Sequence, residues 1–87
     1  MTHPKMFLTT ADEIRAFRRK LGMNQGVFWS RIGITQSGGS RYEAGDRKIP
    51  RTIQLLLHVA YAPDARAHRV VGMLRNWKMG ASDSESA

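Results

Sequence analysis

The sequence predicts an all-α fold, a compact bundle of four to five short helices with a helix-turn-helix at its centre. Three observations carry that prediction. Apolar residues recur at helical spacing along most of the chain. Capping residues (Thr10, Asn24, Thr35) precede several of these stretches and glycines (Gly22, Gly33, Gly45) follow them. Residues 24–45, NQGVFWSRIGITQSGGSRYEAG, read as helix, tight turn, second helix and glycine stop.

Taken in order, residues 1–9 form an extended or flexible N-terminal arm, with Met6, Phe7 and Leu8 available to pack on the first helix. Thr10-Ala11-Asp12-Glu13 fits a capping box, and its two acids suit the positive end of a helix. Ile14, Phe17 and Leu21 then share one face, Arg15, Arg19 and Lys20 point mostly elsewhere, and Gly22 ends the helix. Asn24 caps the second helix, whose apolar positions are Val27, Phe28 and Ile32 with Trp29 beside them. Gly33 breaks it and Ile34 fills the turn. Thr35 opens a third helix over residues 36–44, and Gly45 suits a left-handed exit. After a basic loop, Pro50 precedes a mostly core helix carrying Ile53, Leu56, Leu57 and Ala60. Pro63-Asp64 opens a fifth helix, expected to reach about residue 78, with Ala67, Val70, Val71, Leu74 and Trp77 as its apolar stripe. Gly72 inside it costs about 1 kcal/mol against alanine. One domain over residues 10–78 follows, and residues 79–87, small, polar and acidic, are expected to be disordered.

Composition narrows the partner. All fourteen Lys and Arg lie in residues 1–78 against five acids, a formal charge of +9 on the packed unit. Such an excess on a small domain suits a polyanion. Cysteine is absent, which excludes disulfides and thiolate metal sites. No apolar run is long enough to cross a bilayer, the first residues lack a signal-peptide pattern, and a cytoplasmic location is expected. His3, His58 and His68 are too scattered for a metal set, and a lone histidine such as His58 is expected to be a packed or edge residue. The Gly38-Gly39 pair has neither the Lys-Ser/Thr partner nor the preceding strand of a phosphate loop, and no spacing suggests a catalytic triad. Neither an enzyme nor a cofactor is expected.

Two short helices joined by a glycine turn form the unit that places its second helix in the major groove. The polar face of that helix carries Gln36, Ser37, Ser40 and Arg41. Gln and Arg are shaped for bidentate contact with adenine and guanine edges. Sequence-specific binding of double-stranded DNA is the expected function; RNA is less well suited, because no aromatic stacking platform is in view. Arg15, Arg19 and Lys20 on the first helix then have two readings, a solvated face or a source of long-range attraction to DNA.

Residues 14–61 also resemble the helix-turn-helix family of phage repressors, Cro-like proteins and Xre-type regulators. The resemblance rests on Arg18, Leu21, Gly22, Asn24-Gln25, Ile32-Gly33, Thr35-Gln36, Glu43, Gly45 and Pro50, in that order and spacing. It implies a lambda-repressor-like DNA-binding domain and a homodimeric transcriptional regulator of repressor type. Gln36, Ser37 and Arg41 would face base edges with Ser40 at the margin, while Gln25, Arg47, Lys48 and Arg51 would hold phosphates. Arg18 and Glu43 would be a structural pair; losing one partner of such a pair, if well enclosed, costs about 3–5 kcal/mol. Val70, Leu74 and Trp77 on the fifth helix are candidates for a dimer contact. An alternative occupant of that stripe is a protein partner, as in an antitoxin bound to its toxin or an adaptor bound to its target.

Two positions depart from the family pattern. Trp29 stands where alanine is usual, and Gly39 stands where Ile or Val is usual. The two read as one compensated change, the Trp29 ring filling space that Gly39 leaves, so that core volume is kept. Gly38 has two readings: a close approach of backbone to backbone, or a recognition helix that forms only on DNA.

Overall fold

In a computed structural model, residues 5–77 are described. Thr10 accepts from Glu13 N at 3.1 Å, and the Glu13 carboxylate takes Thr10 N in return, closing the capping box that starts α1 (Ala11–Lys20). Asn24 caps α2 (Gln25–Ser30) through Val27 N at 2.8 Å. Thr35 caps α3 (Gln36–Ala44) through Gly38 N at 3.1 Å. Gly33 and Gly45 take φ of 79° and 82°, left-handed turns that β-carbons disfavour. One redirects the chain between α2 and α3, and the other ends α3. Prolines 50 and 63 open α4 (Arg51–Tyr61) and α5 (Asp64–Arg75) without side-chain caps. The described residues are therefore an all-α, five-helix domain in which α3 packs on both α1 and α2, and α5 on α4.

The core gathers around Leu8, Ile14, Phe28, Trp29, Ile49, Ile53 and Leu57. Phe28 stacks on Tyr61 with ring centres 4.4 Å apart, and the Tyr61 hydroxyl donates to Phe28 O at 2.7 Å. Phe17 meets Phe7, Phe28 and Tyr61 edge-on, joining the N-terminal segment to the bundle. Met6 and Leu8 are buried, so residues 6–8 belong to the core rather than to a free arm.

Several expectations need correction. Leu21, Val27 and Leu56 are exposed: Leu21 is the cap residue after α1, and beside Val27 and Leu56 the neighbours Phe28, Trp29, Leu57 and His58 take the interior. The fifth helix stops at Arg75: Asn76 leaves the helical conformation (φ −108°, ψ 17°), and Trp77 N bonds Leu74 O at 3.4 Å instead of continuing the i→i−4 ladder. Trp77 therefore lies beyond the helix. Lys78, the expected disordered segment 79–87 and His3 lie outside the described residues.

Candidate nucleic-acid interface

The inner face of α3 is fixed by one buried acid. Glu43 is 2% exposed, and its two carboxylate oxygens receive four donors. Arg18 approaches as a fork, Nε to Oε2 at 2.8 Å and Nη2 to Oε1 at 2.9 Å. The Trp29 indole N–H donates to Oε2 at 2.8 Å and the Gln25 amide to Oε1 at 3.3 Å. Burial alone would raise the Glu43 pKa, but the Arg18, Trp29 and Gln25 donors and the Arg18 charge outweigh it and hold the carboxyl below its ordinary range. Arg18 also donates to Met23 O at 2.9 Å, and Arg15 donates to Glu43 O. Thus α1, α2 and α3 meet at a single satisfied charge network.

Trp29 reaches Glu43 by lying across Gly39. A β-carbon at residue 39 would stand 2.2 Å from Trp29 Cδ1, inside any permitted contact. Trp29 is fully buried and stacks on Tyr42 with ring centres 5.5 Å apart. At Gly38 a β-carbon would meet Ile34 Cγ2 at 3.1 Å, so the close neighbours of both glycines are side chains, not backbone. Both glycines lie within the helical span of α3.

The outer face of α3 is open. Gln36, Ser37, Ser40 and Arg41 are all exposed, and no hydrogen bond within the described residues engages their side chains. Positions 36, 37, 40 and 41 share one side of a helix, so the four present a continuous donor and acceptor surface. The following loop is pinned from below: Ile49 is buried and its carbonyl accepts from Gln54 Nε2 at 3.0 Å. Arg47, Lys48 and Arg51 remain exposed beside it. Gln25 is half-buried, its amide nitrogen turned inward to Glu43, which leaves its carbonyl oxygen without a hydrogen-bonding role among the described residues.

The dimer candidates separate. Val70 is fully buried inside its own chain and cannot contact another molecule. Leu74 is exposed and, with Arg51, Leu55, Met73 and Trp77, lines an apolar cleft of about 250 Å3. Sequence reasoning missed the roles of Trp29 Nε1 and Arg15. Two signals were available: a buried indole needs an acceptor, and Arg15 lies one turn before Arg18 on the same face of α1. No group of three or more His, Asp or Glu among the described residues is placed to hold a metal ion. No helix there is long and apolar enough to cross a membrane.

Residues 15–60, more than half of the chain and reaching from α1 through α4, match the RsaL-like helix-turn-helix domain family. The chain belongs to that family. No curated protein and no solved structure matches it. Membership makes this a helix-turn-helix DNA-binding domain, and the match covers α2 and α3, the short helices joined by the Gly33 turn. In this RsaL-like domain, the Glu43 network and the Trp29–Gly39 contact hold the inner side of α3 while its outer side stays free.

Proposed function

We propose that this protein binds specific sequences in double-stranded DNA and regulates transcription as a cytoplasmic homodimer of repressor type, in the manner of the phage-repressor, Cro and Xre-type regulators it resembles. The supporting observation is the row Gln36, Ser37, Ser40 and Arg41, exposed and unbonded on a helix whose opposite face is locked. Side chains that make no bonds at home keep their donors and acceptors for base edges. In this reading α3 enters the major groove, Gln36, Ser37 and Arg41 read bases, and Ser40 lies at the margin. Arg47, Lys48 and Arg51 take phosphates, which supply most of the affinity and set the register, and Gln25 joins them through the second hydrogen of the amide nitrogen that donates to Glu43.

Selection of sites from a random duplex pool, followed by titration of the winner and a scrambled duplex at two salt concentrations, tests the proposal. A strongly preferred short inverted repeat is the expected result. Equal and steeply salt-dependent binding to every duplex would leave only charge and defeat it. The exposed Leu74 beside the apolar cleft favours one second reading, in which α5 docks on a toxin or another target protein and DNA binding is secondary.

A further inference from the structure

The first helix carries cations that neither the base-reading face nor the loop after α3 employs. Arg15, Arg18 and Arg19 converge with Gln25, Ser40 and Glu43 on a cleft of about 170 Å3 between α1 and α3. Three guanidiniums face one carboxylate there, and that carboxylate is already committed to Arg18. Arg15 is also held, by Glu43 O and by Asp12. Arg19 differs: it is exposed and makes no hydrogen bond or ion pair within the described residues. The cleft thus combines two cations fixed in place with one able to move, beside the Ser40 hydroxyl, and it carries surplus positive charge. A tetrahedral oxyanion with several acceptor lone pairs fits such a donor set, and guanidinium is well matched to phosphate oxygens.

Ser40 ties this cleft to the exposed face of α3, so a duplex lying along that face passes its mouth. We propose that the cleft seats one phosphate of the DNA backbone flanking the bases that α3 reads, with Arg19 as its direct ligand and the anchored Arg15 as supporting charge. This rests on the DNA-binding reading above and extends the interface to α1. The contact positions the duplex and does not read sequence.

The test compares Arg19→Ala with Lys20→Ala, a neighbouring exposed cation that does not line the cleft. Affinity for the selected duplex and a scrambled one is measured over a salt series, and phosphates needed for binding are mapped by ethylation interference on the wild type and both variants. Arg19→Ala is expected to weaken both duplexes by the same factor and reduce the salt slope by about 0.9, one phosphate's share. One interfering phosphate beside the read bases should disappear from its map, and the Lys20→Ala map should match the wild type. If both variants change the slope equally and leave the map intact, the cations act only at long range and the seat is refuted. Failure of the DNA-binding reading would be visible separately, as a wild-type protein with no preferred duplex.

Discussion

Gly39 and Gly72 both occupy helix interiors, yet replacing them with alanine should move stability in opposite directions. At Gly72 a β-carbon meets nothing within 4 Å, so Gly72→Ala should stabilise by about 0.5–1 kcal/mol through reduced backbone entropy. At Gly39 the added carbon would collide with the Trp29 ring and displace the indole N–H from Glu43, so Gly39→Ala should destabilise by at least about 1–3 kcal/mol. Urea denaturation of the two variants beside the wild type checks both signs. In a double-mutant cycle, Gly39→Ile with Trp29→Ala should recover part of the two single losses, since the new side chain refills the cavity. Recovery stays incomplete because Glu43 has still lost a donor; strictly additive losses would disprove the compensation. The volume exchange was legible in the sequence because two departures of opposite size stand out in a pattern. The donors on Glu43 come from two other helices, and no spacing rule brings Arg18, Gln25 and Trp29 to one atom pair. For His58 the packed position was expected, but its partners were not legible. It is 1% exposed, its Nδ1 accepts from Phe7 N at 2.9 Å, and its Nε2 lies 3.2 Å from Arg66 O. Burial holds its pKa below the ordinary 6.5, with the Arg66 charge adding to this and the Arg66 carbonyl opposing it. The unfolded chain then binds this proton more readily than the folded one, so the contribution of neutral His58 is complete above about pH 6.5 and declines as pH falls toward the folded-state value. Protonation also removes the acceptor for Phe7 N. Melting temperatures from pH 8 to pH 5 should fall below neutrality in the wild type, and His58→Gln should flatten that slope whatever its absolute stability.

At the scale of the helix, function divides α3 lengthwise. Arg41 lies on the free face, so Arg41→Ala should cost about 1–3 kcal/mol at the selected site and relax preference at one base position. Lys48, on the loop that Ile49 pins, should behave differently, Lys48→Ala weakening cognate and scrambled duplexes alike. Fluorescence anisotropy with both duplexes separates the two, and equal losses for Arg41→Ala would remove its base-reading role. The helices themselves were legible through their ends: Thr10, Asn24 and Thr35 each accept the backbone N–H expected of a cap, and Gly45 exits left-handed. Periodicity was less reliable at the margins of each apolar arc. It fixes which side of a helix faces inward but not how wide a neighbour covers it, which is why Val27 and Leu56 emerge exposed, while Leu21 falls on the cap after α1. The end of α5 was illegible for another reason. Trp77 continues the apolar spacing of Leu74, and the stop lies in the backbone of Asn76, which leaves the helical conformation and turns Trp77 N to Leu74 O.

For the whole molecule the open question is what covers the cleft beside Leu74. One recognition helix reads only a few base pairs, so a protein of this size gains discrimination chiefly by linking two copies across two half-sites. The surface for such a link must be apolar and lie away from α3. In the homodimer reading Leu74, Met73 and Leu55 would supply it, while Arg51, which also lines the cleft, is assigned to phosphate in the DNA-binding reading and buried Val70 serves the internal packing of α5. A homodimer assembled here predicts that Leu74→Arg keeps the melting temperature within a few degrees of the wild type only at concentrations where both are monomeric, since the residue is exposed in the single chain, and lowers it relative to the wild type where the wild type is dimeric. The same substitution should convert a dimer into a monomer in sedimentation-velocity runs. Binding to a duplex with two half-sites should then drop by roughly 100-fold or more, the scale of lost linkage, while affinity for a single half-site stays unchanged. If the wild type already sediments as a monomer at micromolar concentration and binds one half-site as well as two, the homodimer is wrong. The exposed leucine then belongs to a contact with a different protein, and the toxin-partner or adaptor reading takes its place.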